Sequence, residues 1–147
     1  MSWREHLVED VDGIRRIALG LRRVAVLGIK PESLAGTPAH YVPAYLASAG
    51  VEVVPVPVYY PEVTTILGRP VVRQLRDVAG EVDLVNVFRR SEDVPGHLED
   101  LLALRPRAVW LQLGIRHAEV AEQLARAGID VVQDRCLMVE HRIARAS

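Results

Sequence analysis

The sequence predicts an α/β protein with a doubly wound, mostly parallel sheet and helices on both faces, and three observations carry that reading. Short apolar runs alternate with helical segments through most of the chain, as in βαβ units. The runs are continuously apolar rather than alternating, which suits strands buried on both faces. The length of 147 residues, half of them hydrophobic, matches one ordinary domain and gives it enough core to stand without a disulfide or a metal.

The elements follow in order. Leu7, Val8, Val11, Ile14, Ala18 and Leu19 share one helical face, so a helix is predicted over 3–19, ending at Gly20. Arg23 to Gly28 is the first strand. The next helix lies within 38–49; Pro38 suits its first position, whereas Pro43 predicts a late start or a kink. Val51 to Val56 is the second strand, and 57–69 is loop. A very short strand is predicted over Pro70–Val72 and a helix over 73–79. Asp83 to Phe88 is the fourth strand, and Ser91 is placed to cap a helix running to about residue 104. Arg107 to Gln112 is the fifth strand, 117–127 a helix ending at Gly128, Ile129 to Val132 the sixth strand, and 137–145 the last helix. No linker, repeat or low-complexity tract divides the chain, so residues 1–147 are expected to form one Rossmann-like domain.

Composition narrows the function. Eighteen basic and nineteen acidic residues give a net charge of −1, against a general nucleic-acid binder. The N-terminus carries acids and no apolar core, and no run reaches the roughly 18 apolar residues of a membrane span. With Cys136 as the single cysteine, the expectation is a cytoplasmic protein.

Ligands of open parallel sheets bind beyond the carboxyl ends of the strands, where strand order reverses. The segments expected at that edge collect Lys30, Ser33, Thr37, Tyr59, Phe88, Arg89, Arg90, Asp134, Arg135 and Cys136. Lys30 is the one lysine beside seventeen arginines. Gly28 opens a loop toward a helix start near Pro38, a site suited to phosphate, and the alternative is that Gly28 only turns the chain. The G-x-G-x-x-G fingerprint and the Walker loop are absent, and the end of the second strand has no acid for a ribose hydroxyl, which disfavours NAD and leaves NADP open. Arg89 and Arg90 either bridge phosphate oxygens or pair with Glu92 and Asp93 on a solvated turn.

Four stretches taken together are specific: Val24-Ala25-Val26-Leu27-Gly28, Asp83 to Ser91 (DLVNVFRRS), Ala108 to Gly114 (AVWLQLG), and Asp134-Arg135-Cys136 with Glu140. On these the chain resembles, from about Ile17 to Ile143, the CoA-binding domain family, in particular its small stand-alone members, and is similar to the first domain of the succinyl-CoA synthetase alpha subunit. The resemblance implies coenzyme A, or an acyl-CoA, held across the strand ends. Its diphosphate would lie over Gly28, Ile29 and the next helix start, with Lys30, Ser33 and Thr37. Its nucleotide end would approach Pro57 and Tyr59. Phe88, Arg89, Arg90 and Val94 would line the groove, and Leu113 and Gly114 would meet the pantetheine side. The family often has a basic residue after strand two, where this chain has Tyr59, and tends to have a serine at the helix start, where this chain has Ala39.

No catalytic set emerges. The five histidines are scattered without metal spacing, and the synthetase's phosphorylated histidine belongs to a second domain. Cys136 is a candidate contact for the ligand thiol, through a mixed disulfide, or else a small hydrophobe under the last helix. The expectation is a CoA-binding protein without catalysis of its own. The alternatives are an NADP-binding oxidoreductase or redox sensor, and a CoA-binding subunit of a larger acyl-CoA enzyme.

Overall fold

The computed structural model describes residues 2–146. Five strands form one parallel sheet: β1 (Arg23–Leu27), β2 (Glu52–Val56), β5 (Leu84–Val87), β6 (Ala108–Leu111) and β7 (Asp130–Val132), in the spatial order β2-β1-β5-β6-β7. The chain leaves β1 toward β2 and then returns to β5 on the other side of β1. Strand order therefore reverses between β1 and β5, which makes their carboxyl ends the switch point of the sheet.

Both faces are covered, as the continuous apolar runs require. Ile14 and Ala18 of α1 (Val11–Leu19), Val42 and Leu46 of α2 (Pro38–Ser48) and Leu137 of α5 (Leu137–Ala146) pack with Val24, Val26 and Trp110 on one face. Leu101 of α3 (Leu98–Leu104) and Val120 and Leu124 of α4 (Ala118–Arg126) pack with Ala25, Val85 and Val109 on the other. The fold is thus the doubly wound, Rossmann-like class read from the sequence.

Four local departures have physical causes. The helix expected over 3–19 is interrupted: Trp3–His6 is a single 3-10 stretch, and α1 begins at Val11 behind the Asp10 cap, whose carboxylate accepts from the Gly13 amide at 2.8 Å. Between them Leu7 bridges Val131 in parallel and the Val8 amide donates to the Val131 carbonyl, so this segment covers the edge of β7. The strand expected at 70–72 is instead the second arm of a small antiparallel hairpin, β3 (Thr65–Ile66) and β4 (Arg69–Pro70), turning on Leu67 and Gly68, both at positive φ. The helix expected over 73–79 is one 3-10 turn, Leu75–Asp77. After β5 the chain runs as 3-10 helix over Ser91–His97 before α3, because Pro95 lacks the amide that an α-turn from Ser91 needs. Ser91 caps nothing; its hydroxyl accepts from the Arg116 amide.

Pro43 neither delays α2 nor ends it, and its effect lies one turn earlier. A residue other than proline at 43 would donate its amide to the Ala39 carbonyl. That carbonyl instead accepts from the Lys30 amide at 3.1 Å, which ties the loop after β1 to the first turn of α2.

Gly28 is fixed by the neighbouring strand. It sits at φ +85°, and a Cβ there would lie 2.3 Å from the Phe88 carbonyl oxygen. Backbone meets backbone, so neither partner yields cheaply. Gly28→Ala is therefore expected to destabilise the protein by about 2–5 kcal/mol, combining overpacking with a left-handed alanine. Equilibrium denaturation measures it, and a loss below about 1 kcal/mol would contradict the close approach of the two strand ends.

Candidate ligand cleft at the strand ends

A cleft of about 690 Å³ opens over the carboxyl ends of β1, β5 and β6. Of the sequence-derived candidates, Lys30, Thr37, Tyr59, Phe88, Arg89, Arg90, Leu113 and Gly114 line it. Gly28 lies beneath, at the strand crossing. Ile29 and Val94 have no exposed surface and pack into the two cores. Ser33 is exposed on the 3-10 turn Glu32–Leu34, outside the cleft lining. Pro57 is buried under a neighbouring depression of about 390 Å³, shared with Arg73, Arg76 and His97. Cys136 is half-buried against the core on the α2 and α5 face and does not line the cleft.

The loop after β1 is held at three points. The first is the Lys30–Ala39 backbone bond. The others converge on Glu32, whose Oε2 accepts from Nε2 of His40 on α2 and from the Leu67 amide in the hairpin turn, both at 2.9 Å. The bond to His40 holds the Glu32 carboxyl below its ordinary range. The Lys30 ammonium has no carboxylate within ion-pairing distance among the described residues. Thr37 precedes α2 but does not cap it; its hydroxyl donates to the Leu34 carbonyl instead. The start of α2 therefore keeps its positive end uncapped at the cleft wall, beside Pro38 and Ala39.

The two arginines divide. Arg90 is exposed and pairs with Asp93 at 3.1 Å and Glu92 at 3.5 Å. Arg89 turns inward: its Nε donates to Nε2 of His97 at 3.2 Å, its Nη2 lies 3.7 Å from Asp93, and its guanidinium lies 5.9 Å from the Tyr59 ring. Burial, and next the Arg89 charge, push the His97 pKa down, as befits a neutral acceptor. Tyr59 is carried on a loop wrapped around Arg73, whose guanidinium donates to the carbonyls of Tyr59, Tyr60, Pro61 and Val63.

The far end of the cleft is tied to β7. Asp134, at φ +59°, accepts from the Gly114 amide at 2.6 Å and from Nε of Arg116 at 3.4 Å; the Gly114 bond first, and then Arg116, hold its carboxyl down. Arg135 acts structurally, its carbonyl accepting from the Trp110 indole at 2.8 Å and its guanidinium reaching Glu140 at 3.4 Å. Beneath the cleft floor Asn86, fully buried, donates to Oε1 of Gln112 at 3.2 Å. Sequence reading missed His97, Arg73 and Gln112 as parts of this site; only Gln112 had a visible signal, a polar residue closing an apolar strand. Among the described residues no group of three or more His, Cys, Asp or Glu is arranged to hold a metal, and no helix is long and apolar enough to cross a membrane.

A cleft carrying Lys30, Arg89 and Arg90 lies at the switch point of a doubly wound sheet, the edge at which such folds bind their ligands. Residues 22–142 match the model of the CoA binding domain family, and the chain belongs to that family. It is 33% identical over 134 residues to the uncharacterised protein YneT of Bacillus subtilis, covering 90% of this chain and 94% of that one. It is similar to a solved protein of Thermus thermophilus, cell-free ID.343, with a TM-score of 0.83 and 41% identity over 92% of this chain and 99% of that one. A hypothetical protein of Pyrococcus horikoshii OT3 superposes with a TM-score of 0.82 at 25% identity, covering 93% of each chain.

The depressed histidines give a pH signature. His97 and His141 both have pKa values below 6.5, chiefly through burial. The unfolded chain then binds protons that the folded chain refuses, so stability is full above about pH 6.5 and falls as pH drops below it. The melting temperature is expected to fall between about pH 7.5 and pH 5.5, with a shallower slope in H97Q. An unchanged slope in H97Q would mean that His97 titrates normally in the folded protein.

Proposed function

We propose that the chain is a single cytoplasmic domain that binds coenzyme A or an acyl-CoA and has no catalytic activity of its own. The observation that carries this reading is the gathering of Lys30, Arg89 and Arg90 with the uncapped start of α2 around one cleft at the switch point. Three cations and a helix N-terminus suit a diphosphate, and family membership supplies the class of ligand.

In this reading the diphosphate lies over the Gly28–Lys30 loop and the start of α2, near Thr37 and within reach of the ammonium of Lys30. Ser33 marks the outer margin of that loop. The nucleotide end rests against Tyr59 near Pro57. Phe88 and Arg89 form the middle wall, with Val94 supporting it from beneath, and the pantetheine arm runs toward Leu113 and Gly114. Cys136 is the thiol on that side of the sheet.

Calorimetric titration with CoA, dephospho-CoA and NADPH tests the reading, with tight CoA binding and weak NADPH binding expected. The reverse order would favour an NADP-binding oxidoreductase. Arg89→Ala is expected to cost about 1.5–3 kcal/mol of CoA affinity, the range of a charge-assisted hydrogen bond, or roughly 10–150-fold in Kd. Arg90→Ala should cost less, since that side chain is exposed and already paired with two acids. An unchanged affinity in R89A would leave Arg89 as a structural partner of His97 and Asp93.

The same titration reads the 3′-phosphate. Tyr59 stands after β2, and the nearby Arg73 is committed to four loop carbonyls. Dephospho-CoA is therefore expected to bind within about fivefold of CoA, well under the 1.5–3 kcal/mol of a charge-assisted contact. A larger gap would require Arg76, which shares the depression over Pro57, to leave Asp100 for the phosphate.

A further inference from the structure

We propose that Gln112 recognises a carbonyl of the ligand's arm, donating from Nε2 to a neutral amide or thioester oxygen; this deepens the CoA reading and rests on it. Gln112 follows β6, is only 4% exposed, and nevertheless lines the cleft. The orientation of its amide is fixed by its neighbours. The backbone amide of Leu137, at the start of α5, can only donate, and it lies 3.3 Å from Oε1 of Gln112. Nδ2 of Asn86 approaches the same oxygen at 3.2 Å, and it is identified as nitrogen because it also lies 3.4 Å from the Trp110 carbonyl. This polar chain holds Oε1 in the protein, and Nε2 is left with no acceptor among the described residues. Nε2 is not among the enclosed atoms left without a partner, so it reaches the cleft and is free to donate to an oxygen of a bound molecule.

The surroundings say which oxygen. Around Gln112 the cleft is lined by Phe88, Leu113, Gly114 and Ile115, and Asp134 bonds the Gly114 amide. An apolar patch suits a neutral carbonyl better than a phosphate. Of the cations, Lys30 stands on the loop after β1, and Arg89 and Arg90 follow Phe88 on the loop after β5, whereas Gln112 follows β6. The arm of CoA carries two amide carbonyls, and an acyl-CoA adds a thioester carbonyl.

Gln112→Glu removes the donor, because a carboxylate still accepts from Leu137 and Asn86 while an oxygen replaces Nε2, and ADP reads the effect of the added charge on the phosphates. CoA and ADP are titrated into the wild type and Q112E at about pH 8 and pH 5, with ADP supplying the diphosphate and nucleotide but no amide. At pH 8 Q112E is expected to lose about tenfold or more in CoA affinity, while its ADP affinity stays within about twofold of wild type. At pH 5 the gap for CoA should narrow, since a protonated carboxyl donates again. CoA affinity in Q112E equal to wild type overturns the proposal and leaves the CoA reading standing. Equal losses for CoA and ADP overturn it as well, because Gln112 would then only shape the cleft. A wild type that binds neither ligand overturns the parent reading, and this proposal with it.

Discussion

The closeness of β1 to β5 at their carboxyl ends is the constraint on which the rest of the site depends. Where Gly28 turns away from the sheet there is no room for a side chain against the Phe88 carbonyl. The Phe88 amide in turn donates to the Leu27 carbonyl at 2.9 Å, so the strands stay paired to the point at which they diverge. The loop carrying Lys30 and the loop carrying Arg89 therefore start from the same place. Two cations far apart in sequence face one cleft because the strands that launch them are locked together.

Outward from that point the cleft is built from hydrogen bonds between loops rather than from regular structure. Glu32 joins the first loop to α2 and to the hairpin, Arg73 gathers the loop after β2, Ser91 reaches the Arg116 amide, and Asp134 holds Gly114. Glu32 to Leu67, Ser91 to Arg116 and Asp134 to Gly114 link segments that follow different strands of the sheet, while Glu32 to His40 and the Arg73 bonds brace a single segment. The apolar strands set where the loops begin, and these polar contacts set where they end. The chain belongs to the CoA binding domain family, and its cleft carries Lys30, Arg89 and Arg90.

The sheet was legible in the sequence because short, β-branched apolar runs such as Val24-Ala25-Val26-Leu27, closed by a glycine, suit a strand covered on both sides better than a helix. The elements misread were those decided by long-range contacts. Leu7 and Val8 fit a helical face as well as they fit the edge of β7, and only the neighbouring strand chooses between them. The cleft was legible in outline, since residues following strands must gather at one edge. The division of labour between Arg89 and Arg90 was not, because it depends on His97, which comes close only when the chain after β5 coils as 3-10 helix. The D-R-C stretch showed its place but not its use: Asp134 and Arg135 stitch loops and the Trp110 indole together.

Pro43 has a consequence that reaches beyond α2. By withholding an amide it leaves the Ala39 carbonyl open to Lys30, and the loop after β1 is fastened to a rigid helix before any ligand arrives. The entropy of ordering that loop is thus surrendered during folding, not during association. The rim of the cleft on the α2 side is set by a bond between backbone groups, independent of any side chain in the loop.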